Sequence, residues 1–325
     1  MSVIVCAHNE LENLKKLIPA LLSQQYPNFE LILADDRSSD GSADYLRQQY
    51  SHDVRLRIIR IEENNLRENF KKHALTKAIE AANHDVLLLT DADCLPASPL
   101  WIDGMTRALD KKEIVLGYSP YMFRKGLLNL LIRYETFLTA VQYLSFALAG
   151  MPYMGVGRNL LYRKSLFVKN NGFHNHIHTT GGDDDLFIRE VATAENTAVC
   201  FEKNTQMLSL PKEDYFSWWK QKRRHLSVGF QYKLKHKILL GLSIMAHILF
   251  YTSLGVVFYQ DYKAAFLFLM IRGLVFLVIF TLIARKLGVN YHVWIWLFIP
   301  IDVIYIFNYL VISFSLWIDK KIKWN

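Results

Sequence analysis

Short apolar runs alternate with helix-spaced segments through the first ninety residues. Val3-Ile4-Val5-Cys6 is followed by Leu11, Leu14, Leu17, Ile18, Leu21 and Leu22, which share one helical face. A second run, Glu30 to Ala34, ends in Asp35-Asp36 and leads through Arg37-Ser38-Ser39-Asp40-Gly41 into a helix near Ser42 to Gln49. Arg57 to Ile61 reads as a third strand, Lys71 to Asn83 as a helix, and Val86-Leu87-Leu88-Leu89 as a fourth strand. Alternating strands and helices predict a doubly wound α/β sheet that is mostly parallel. Ligands of such sheets sit at the carboxyl ends of the strands.

The pattern changes near residue 236. Ile238 to Tyr259, Ala264 to Ile283 and Val293 to Trp317 each approach the roughly 20 apolar residues that cross a bilayer. The chain therefore divides into a domain over 1–235 and a membrane domain over 236–325 with about three helices. Leu127, Leu128, Leu131, Tyr134, Leu138, Val141 and Leu144 recur at helical intervals, interrupted by Arg133 and Glu135. That composition fits an interfacial helix over about 126–150 better than a fourth crossing, and a second interfacial stretch covers about 212–235. Asp302 falls inside the third run beside Pro300 and marks either a polar path or a pairing with another helix.

Charge sharpens the membrane reading. The chain carries a formal +8, with Lys220, Lys222, Arg223, Arg224, Lys233, Lys235 and Lys237 just ahead of the first long apolar run. Cations in that place match an anionic cytoplasmic leaflet, so membrane lipids and phosphates are the expected partners and nucleic acid is not. Trp218 and Trp219 read as interfacial anchors. Arg285 and Lys286 also mark a cytoplasmic loop, yet Lys320, Lys321 and Lys323 follow a third crossing. One segment is then re-entrant or interfacial, or a further helix precedes the given start. Cys6, Cys94 and Cys200 are scattered and odd in number, which fits a reducing compartment with no disulfide framework. No signal peptide precedes Ser2 to Val5, so the first domain is expected in the cytoplasm, as in a multi-pass protein of a bacterial inner membrane.

Thr90-Asp91-Ala92-Asp93 carries the sharpest chemistry. Two carboxylates one residue apart at a strand's carboxyl end are hard oxygen ligands for a divalent cation, Mn or Mg, carrying a diphosphate. Asp35 and Asp36 end a neighbouring strand, where an acid accepts hydrogen bonds from a nucleoside; they also suit turn and helix capping, as do Ser38, Ser39 and Asp40. Neither a Gly-x-Gly-x-x-Gly after the first strand nor a Walker-type lysine loop occurs, so dinucleotide and P-loop folds are disfavoured.

These residues together resemble the family 2 inverting glycosyltransferases of the membrane-attached kind. The likeness rests on Ser2 to Val5 with Asn9-Glu10, on Asp35-Asp36 with Ser38 and Gly41, and on Asp91-Ala92-Asp93. It continues through Gly155-Val156-Gly157-Arg158-Asn159, Tyr162-Arg163-Lys164 and Gly172-Phe173. Gly181-Gly182-Asp183-Asp184-Asp185-Leu186 stands in place of the Glu-Asp motif, and Gln221-Lys222-Arg223-Arg224-His225 in place of Gln-x-x-Arg-Trp. The resemblance implies the nucleotide-diphospho-sugar transferase (GT-A) fold, with a nucleotide-sugar donor and a lipid-linked or glycan acceptor. It implies that Asn9, Glu10, Asp36, Lys71, Asp91, Gln221 and Arg224 contact the donor, that Asp91 and Asp93 hold the metal, and that Asp183 is the base. Gly182 stands where the family has Glu, which leaves Asp183, Asp184 and Asp185 as rival bases with Asp183 favoured by alignment on Leu186; Asp183 and Asp184 are the catalytic candidates. His225 stands where the family has Trp.

Inversion needs a base for the acceptor hydroxyl and stabilisation of the departing diphosphate, and these acids supply both. The three Asp also suit a helix cap ahead of Leu186-Phe187-Ile188. Lys222, Arg223 and Arg224 suit a membrane surface, while Arg224 also has the donors to grip a diphosphate. His174, His176 and His178 would share one face of a strand, yet their surroundings read as a mobile loop able to close over the donor. A processive polysaccharide synthase is the alternative enzyme. An inactive nucleotide-sugar-binding membrane scaffold is the alternative without chemistry.

Overall fold

The computed structural model describes residues 1–61, 70–289 and 292–318; Lys320, Lys321 and Lys323 lie outside them. The first half runs β1 (Ser2–Ala7), α1 (Leu11–Leu22), β2 (Glu30–Asp36), α2 (Ser42–Tyr50), β3 (Leu56–Ile61), α3 (Phe70–Ala81), β4 (Val86–Asp91) and β5 (Cys94–Pro96). It continues through α4 (Trp101–Leu109), β6 (Ile114–Gly117), α5 (Leu127–Leu148), β7 (Leu160–Arg163), α6 (Lys164–Lys169), α7 (Asp185–Val191), β8 (Thr197–Cys200) and β9 (Met207–Ser209). Four long helices follow: α8 (Tyr215–Gly229), α9 (Leu234–Gln260), α10 (Tyr262–Lys286) and α11 (His292–Ile318).

Seven strands form one sheet in the order β3-β2-β1-β4-β7-β6-β8. The first four are parallel, whereas β7 runs antiparallel between β4 and β6, so the sheet is mixed. Strands buried on both faces need apolar residues at every position. In β1, Val3 and Val5 face the cluster under α1, α2 and α4, while Ile4 faces the one containing α3, α5 and α7. Each such side chain contributes about 1.5–3 kcal/mol by leaving water.

The chain crosses from β1 to opposite sides of the sheet, since β1 lies between β2 and β4. Register sets Cys6 beside Ala34 on β2 and Asp91 on β4, and Ala7 beside Asp35. The acidic strand ends are thus brought to one edge. Asp40 fixes the turn above it: its carboxylate accepts from the Leu11 amide at 2.8 Å and the Ser42 amide at 3.0 Å, capping α1 and α2 together.

Among the described residues, α9, α10 and α11 are long and apolar enough to cross a membrane. Their outer faces expose Leu242, Leu249, Phe266, Leu274 and Phe307, as lipid contact requires. Helix α11 packs on α8 and α5. Asp302 is buried and pairs with its neighbours: Arg272 lies 3.1 Å away, and Tyr251 and Tyr134 donate to it at 2.6 and 3.1 Å. Helices α5, α9, α10 and α11 thereby meet on one carboxylate.

Three expectations are corrected. Trp218 is not an anchor but a buried side chain, 2% exposed. Lys222 is not a surface cation: it is buried and paired with Glu135 of α5. The histidine segment is neither a strand nor a loose loop. His174–His176 forms a 3₁₀ turn, and His176 is buried against Glu190 at 3.1 Å. Buried Lys72 donates to the carbonyls of His176 and Thr179 at 2.5 and 2.9 Å, pinning the chain just ahead of Asp183. No group of three metal-ligating side chains forms there or elsewhere among the described residues.

Candidate active site

Cys6, Lys71, Asp91, Gly157, Asp183 and Asp184 line one small cleft at the carboxyl edge of β1 and β4. Lys71 is its hub, with Nζ 3.1 Å from Asp91 Oδ1 and 2.9 Å from Asp183 Oδ2. Burial alone would lower the ammonium's pKa, but Asp183 and Asp91 outweigh it and hold Lys71 well above its ordinary value. Burial likewise pushes Asp183 up, and Lys71 more than reverses it, so Asp183 is held below the usual carboxylate range and stays ionised. The Cys6 thiol is pushed up to about 12, first by burial; Lys71 opposes this, while Asp183, Asp91 and Asp36 add to it.

The other members of the acidic run have separate surroundings. Asp184 accepts from the Gly157 amide at 2.6 Å and the Asp185 amide at 2.8 Å, which makes it the cap of α7. A Cβ at Gly157 would lie 3.2 Å from the Asp184 carboxylate, so glycine permits that approach. Asp185 accepts from Tyr232 at 3.0 Å; burial and Asp184 still hold its carboxyl well above the usual range. Gly182 has φ +74°, and a Cβ there would meet Leu186 at 2.8 Å. Glycine in place of glutamate is thus dictated by the backbone that turns into Asp183.

Asp93 is raised by burial and then by Asp91, with Arg158 and Lys212 pulling the other way. Two carboxylates held together against their own repulsion suit a hard divalent cation. With two protein oxygens, most of the roughly six positions around such an ion are left for phosphate and water. Burial raises Glu10 as well, and the charges of Asp93 and Asp91 add to the shift.

On the β2 side, Arg37 Nε lies 2.8 Å from Asp36 Oδ1, and its guanidinium is 3.5 Å from the centre of the Phe70 ring. Asn9 accepts from the Ser39 amide at 2.8 Å, and its own amide donates to Ser38 at 2.9 Å. Asn9 therefore braces the two turns. Gln221 donates to the Tyr121 hydroxyl at 3.3 Å, while the Arg224 stem lies 3.7 Å from where a Gly181 Cβ would be, beside the acidic run.

Arg158 is a residue that sequence reasoning did not single out. It donates to the Tyr121 hydroxyl at 2.9 Å and the Ser119 carbonyl at 3.2 Å, and its charge reaches Asp93. Its place in Gly155–Asn159 was the available signal. The neighbouring Asn159 ties Trp101, Tyr118 and Thr205 together and so fixes the segment.

Residues 2–169 match the glycosyl transferase family 2 model. The putative teichuronic acid biosynthesis glycosyltransferase TuaG of Bacillus subtilis is 31% identical over 93 residues, covering 29% of this chain and 35% of that protein. The poly-beta-1,6-N-acetyl-D-glucosamine synthase of Staphylococcus epidermidis is 23% identical over 245 residues, covering 72% and 56%. The chain thus spans about a third to just over half the length of these relatives. The mannosyltransferase PcManGT from Pyrobaculum calidifontis, solved with GDP-Man and Mn2+, superposes with a TM-score of 0.59 at 18% identity, covering 95% of this chain and 85% of that one. That likeness concerns the fold.

Proposed function

The chain belongs to glycosyl transferase family 2, and from that premise we propose that it is a membrane-bound inverting glycosyltransferase. It moves a sugar from a nucleotide-diphospho-sugar to a lipid-linked or glycan acceptor, with the catalytic domain on the cytoplasmic side. The observation that carries this reading is the meeting of Asp91 and Asp183, from two distant segments, on Lys71, with Asp36 ending the neighbouring strand β2 at the same edge of the sheet.

In this reading Asp36, with Asn9 bracing its turn, receives the nucleoside, and Asp91 and Asp93 hold a divalent ion, Mn or Mg. That ion supplies charge stabilisation to the departing diphosphate. Lys71 exchanges a carboxylate for a donor phosphate oxygen, which releases Asp183. The freed carboxylate takes the acceptor hydroxyl's proton as the oxygen bonds to the anomeric carbon and the nucleoside diphosphate leaves from the opposite face. Asp184 caps α7 and holds Asp183 in place. Gln221 and Arg224 flank the donor diphosphate or the acceptor channel beside it. Exposed Lys233, Lys235 and Lys237 at the start of α9 support a cytoplasmic, anionic leaflet.

The test is transfer from a panel of nucleotide-sugars by the full chain, with and without Mn or Mg, for the wild type and Asp93→Ala. Metal-dependent transfer that the variant loses is expected. Undiminished transfer by the variant overturns the metal assignment, and tight donor binding with no turnover on any acceptor overturns the enzymatic one. Product length separates single addition from processive synthesis.

A further inference from the structure

Two consecutive lysines stand in the first turn of α3, and neighbours on a helix point about 100° apart. Lys71 reaches the Asp183 carboxylate from the cleft, whereas Lys72 is fully buried, outside the residues that line the cleft. Its ammonium donates to the carbonyls of His176 and Thr179, at 2.5 and 2.9 Å, in the segment that leads into Asp183. One helix thus grips the base by its side chain and by the backbone behind it.

A buried ammonium is costly, and an apolar side chain of similar length fills such a space without that cost. The charge is therefore the informative part. Both of its bonds go to backbone oxygens rather than to a carboxylate. Asp183 and Asp184 ahead of α7 and Glu190 within it act on Lys72 by charge alone; His176 and, on its own helix, Lys71 are its other titratable neighbours. Glu190 is itself engaged by His176 at 3.1 Å and Asn170 at 2.8 Å. Burial lowers the Lys72 pKa to about 8 against the pull of the three acids.

Between Thr179 and Asp183 stand Thr180 and two glycines, Gly181 and Gly182, with φ +78° and +74°. Glycine leaves the backbone the most freedom, so this stretch does not hold an aspartate in place by itself. Thr179 is where it is fastened: Lys72 takes the carbonyl, and Gln231 donates to the hydroxyl at 2.9 Å. In the transfer step Lys71 turns to a donor phosphate, and Asp183 loses its ion pair just as it must face the acceptor hydroxyl. Lys72 keeps its bonds, and its charge still opposes the burial that would protonate Asp183.

We propose that Lys72 is the positioning residue for the base: it fixes the backbone behind Asp183 and leaves a positive charge there once Lys71 has moved to the donor. This deepens the transferase reading and rests on it for the role of Asp183. The anchoring itself is measured without turnover.

The test uses the full chain in detergent, with rates over about pH 6 to 10 and hydrogen exchange of the Ile177 and Thr179 amides, which bond to His174 and His176. Lys72→Met is expected to lower kcat by about 10- to 100-fold and to leave the donor KM within about twofold, the mark of a contact used only in the reaction. In the wild type, kcat is expected to fall above about pH 8 as the ammonium loses its proton. Protection of the two amides, corrected for hydroxide catalysis, falls over the same range. Lys72→Arg keeps its charge throughout and is expected to move both declines upward by about one pH unit or more. Lys77→Met, an exposed lysine on the same helix, is expected to change neither. Wild-type protection that stays flat with pH, an alkaline limb that Lys72→Arg leaves in place, or a Lys72→Met that transfers like the wild type overturns the proposal. The first of these needs no variant to fold. Protection that falls as expected in a protein that turns over no donor overturns the transferase reading instead.

Discussion

Lys71 and Asp183 form an ion pair of 2.9 Å, and the same ammonium spans to Asp91 at 3.1 Å. One lysine therefore links the proposed base to the proposed metal ligand, and each carboxylate is held ready by a charge that the donor's phosphates can take over.

Removing that charge has a signed consequence. Without Lys71, burial is opposed only by a backbone hydrogen bond and the more distant charge of Lys72, and the pKa of Asp183 rises. Lys71→Met is expected to lower transfer at neutral pH by on the order of 10²-fold and to move the acid limb of the rate profile to higher pH. Rates measured between pH 5 and 9 check this, and an acid limb that stays in place counts against Asp183 as the base.

The Asp91-Asp93 pair is strained by its own charge when no cation is bound, since burial and Asp91 both raise Asp93. Asp93→Asn is expected to unfold at a higher temperature than the wild type in chelator, and to lose the stabilisation that added Mn gives the wild type through mass action. Thermal unfolding in detergent, with EDTA and with Mn, reads both. A variant that is less stable in EDTA and still responds to Mn contradicts the assignment.

Asp185 offers a pH test on stability. Its carboxyl is held well above the usual range, first by burial and then by Asp184. The unfolded chain loses this proton at lower pH than the folded one, so the group's contribution to stability declines as pH rises from the ordinary carboxylate range through the folded value. Asp185→Asn keeps an acceptor for Tyr232 and is expected to raise Tm at pH 8 more than at pH 5. An equal gain at both refutes the charge as its cause.

Lys222 and Glu135 join α8 to α5 as a buried pair, with side chains 10% and 15% exposed. Removing one partner strands the other, at a cost of about 3 kcal/mol. Lys222→Met is expected to destabilise strongly, and Glu135→Gln added to it to restore most of the loss. Unfolding midpoints of the two singles and the double give the coupling energy, and additive losses exclude the pair as a unit.

The sequence by itself determined the parts whose signal is local. Helical spacing after Val3–Cys6 and Glu30–Ala34, the apolar lengths of α9 to α11, and Asp91-Ala92-Asp93 at a strand end are each set within about twenty neighbouring residues, and each element formed within a few residues of its expected bounds. Only the tertiary structure decided that β7 enters antiparallel beside β4, that Lys222 and Trp218 are buried, that Lys72 pins the histidine turn, and which of three consecutive aspartates meets Lys71. Those outcomes depend on partners such as Glu135, His176 and Asp91, many residues away in the chain. A periodicity records which face of an element is apolar but not what is packed against it, and a buried charge is acceptable only where the fold supplies its counterpart.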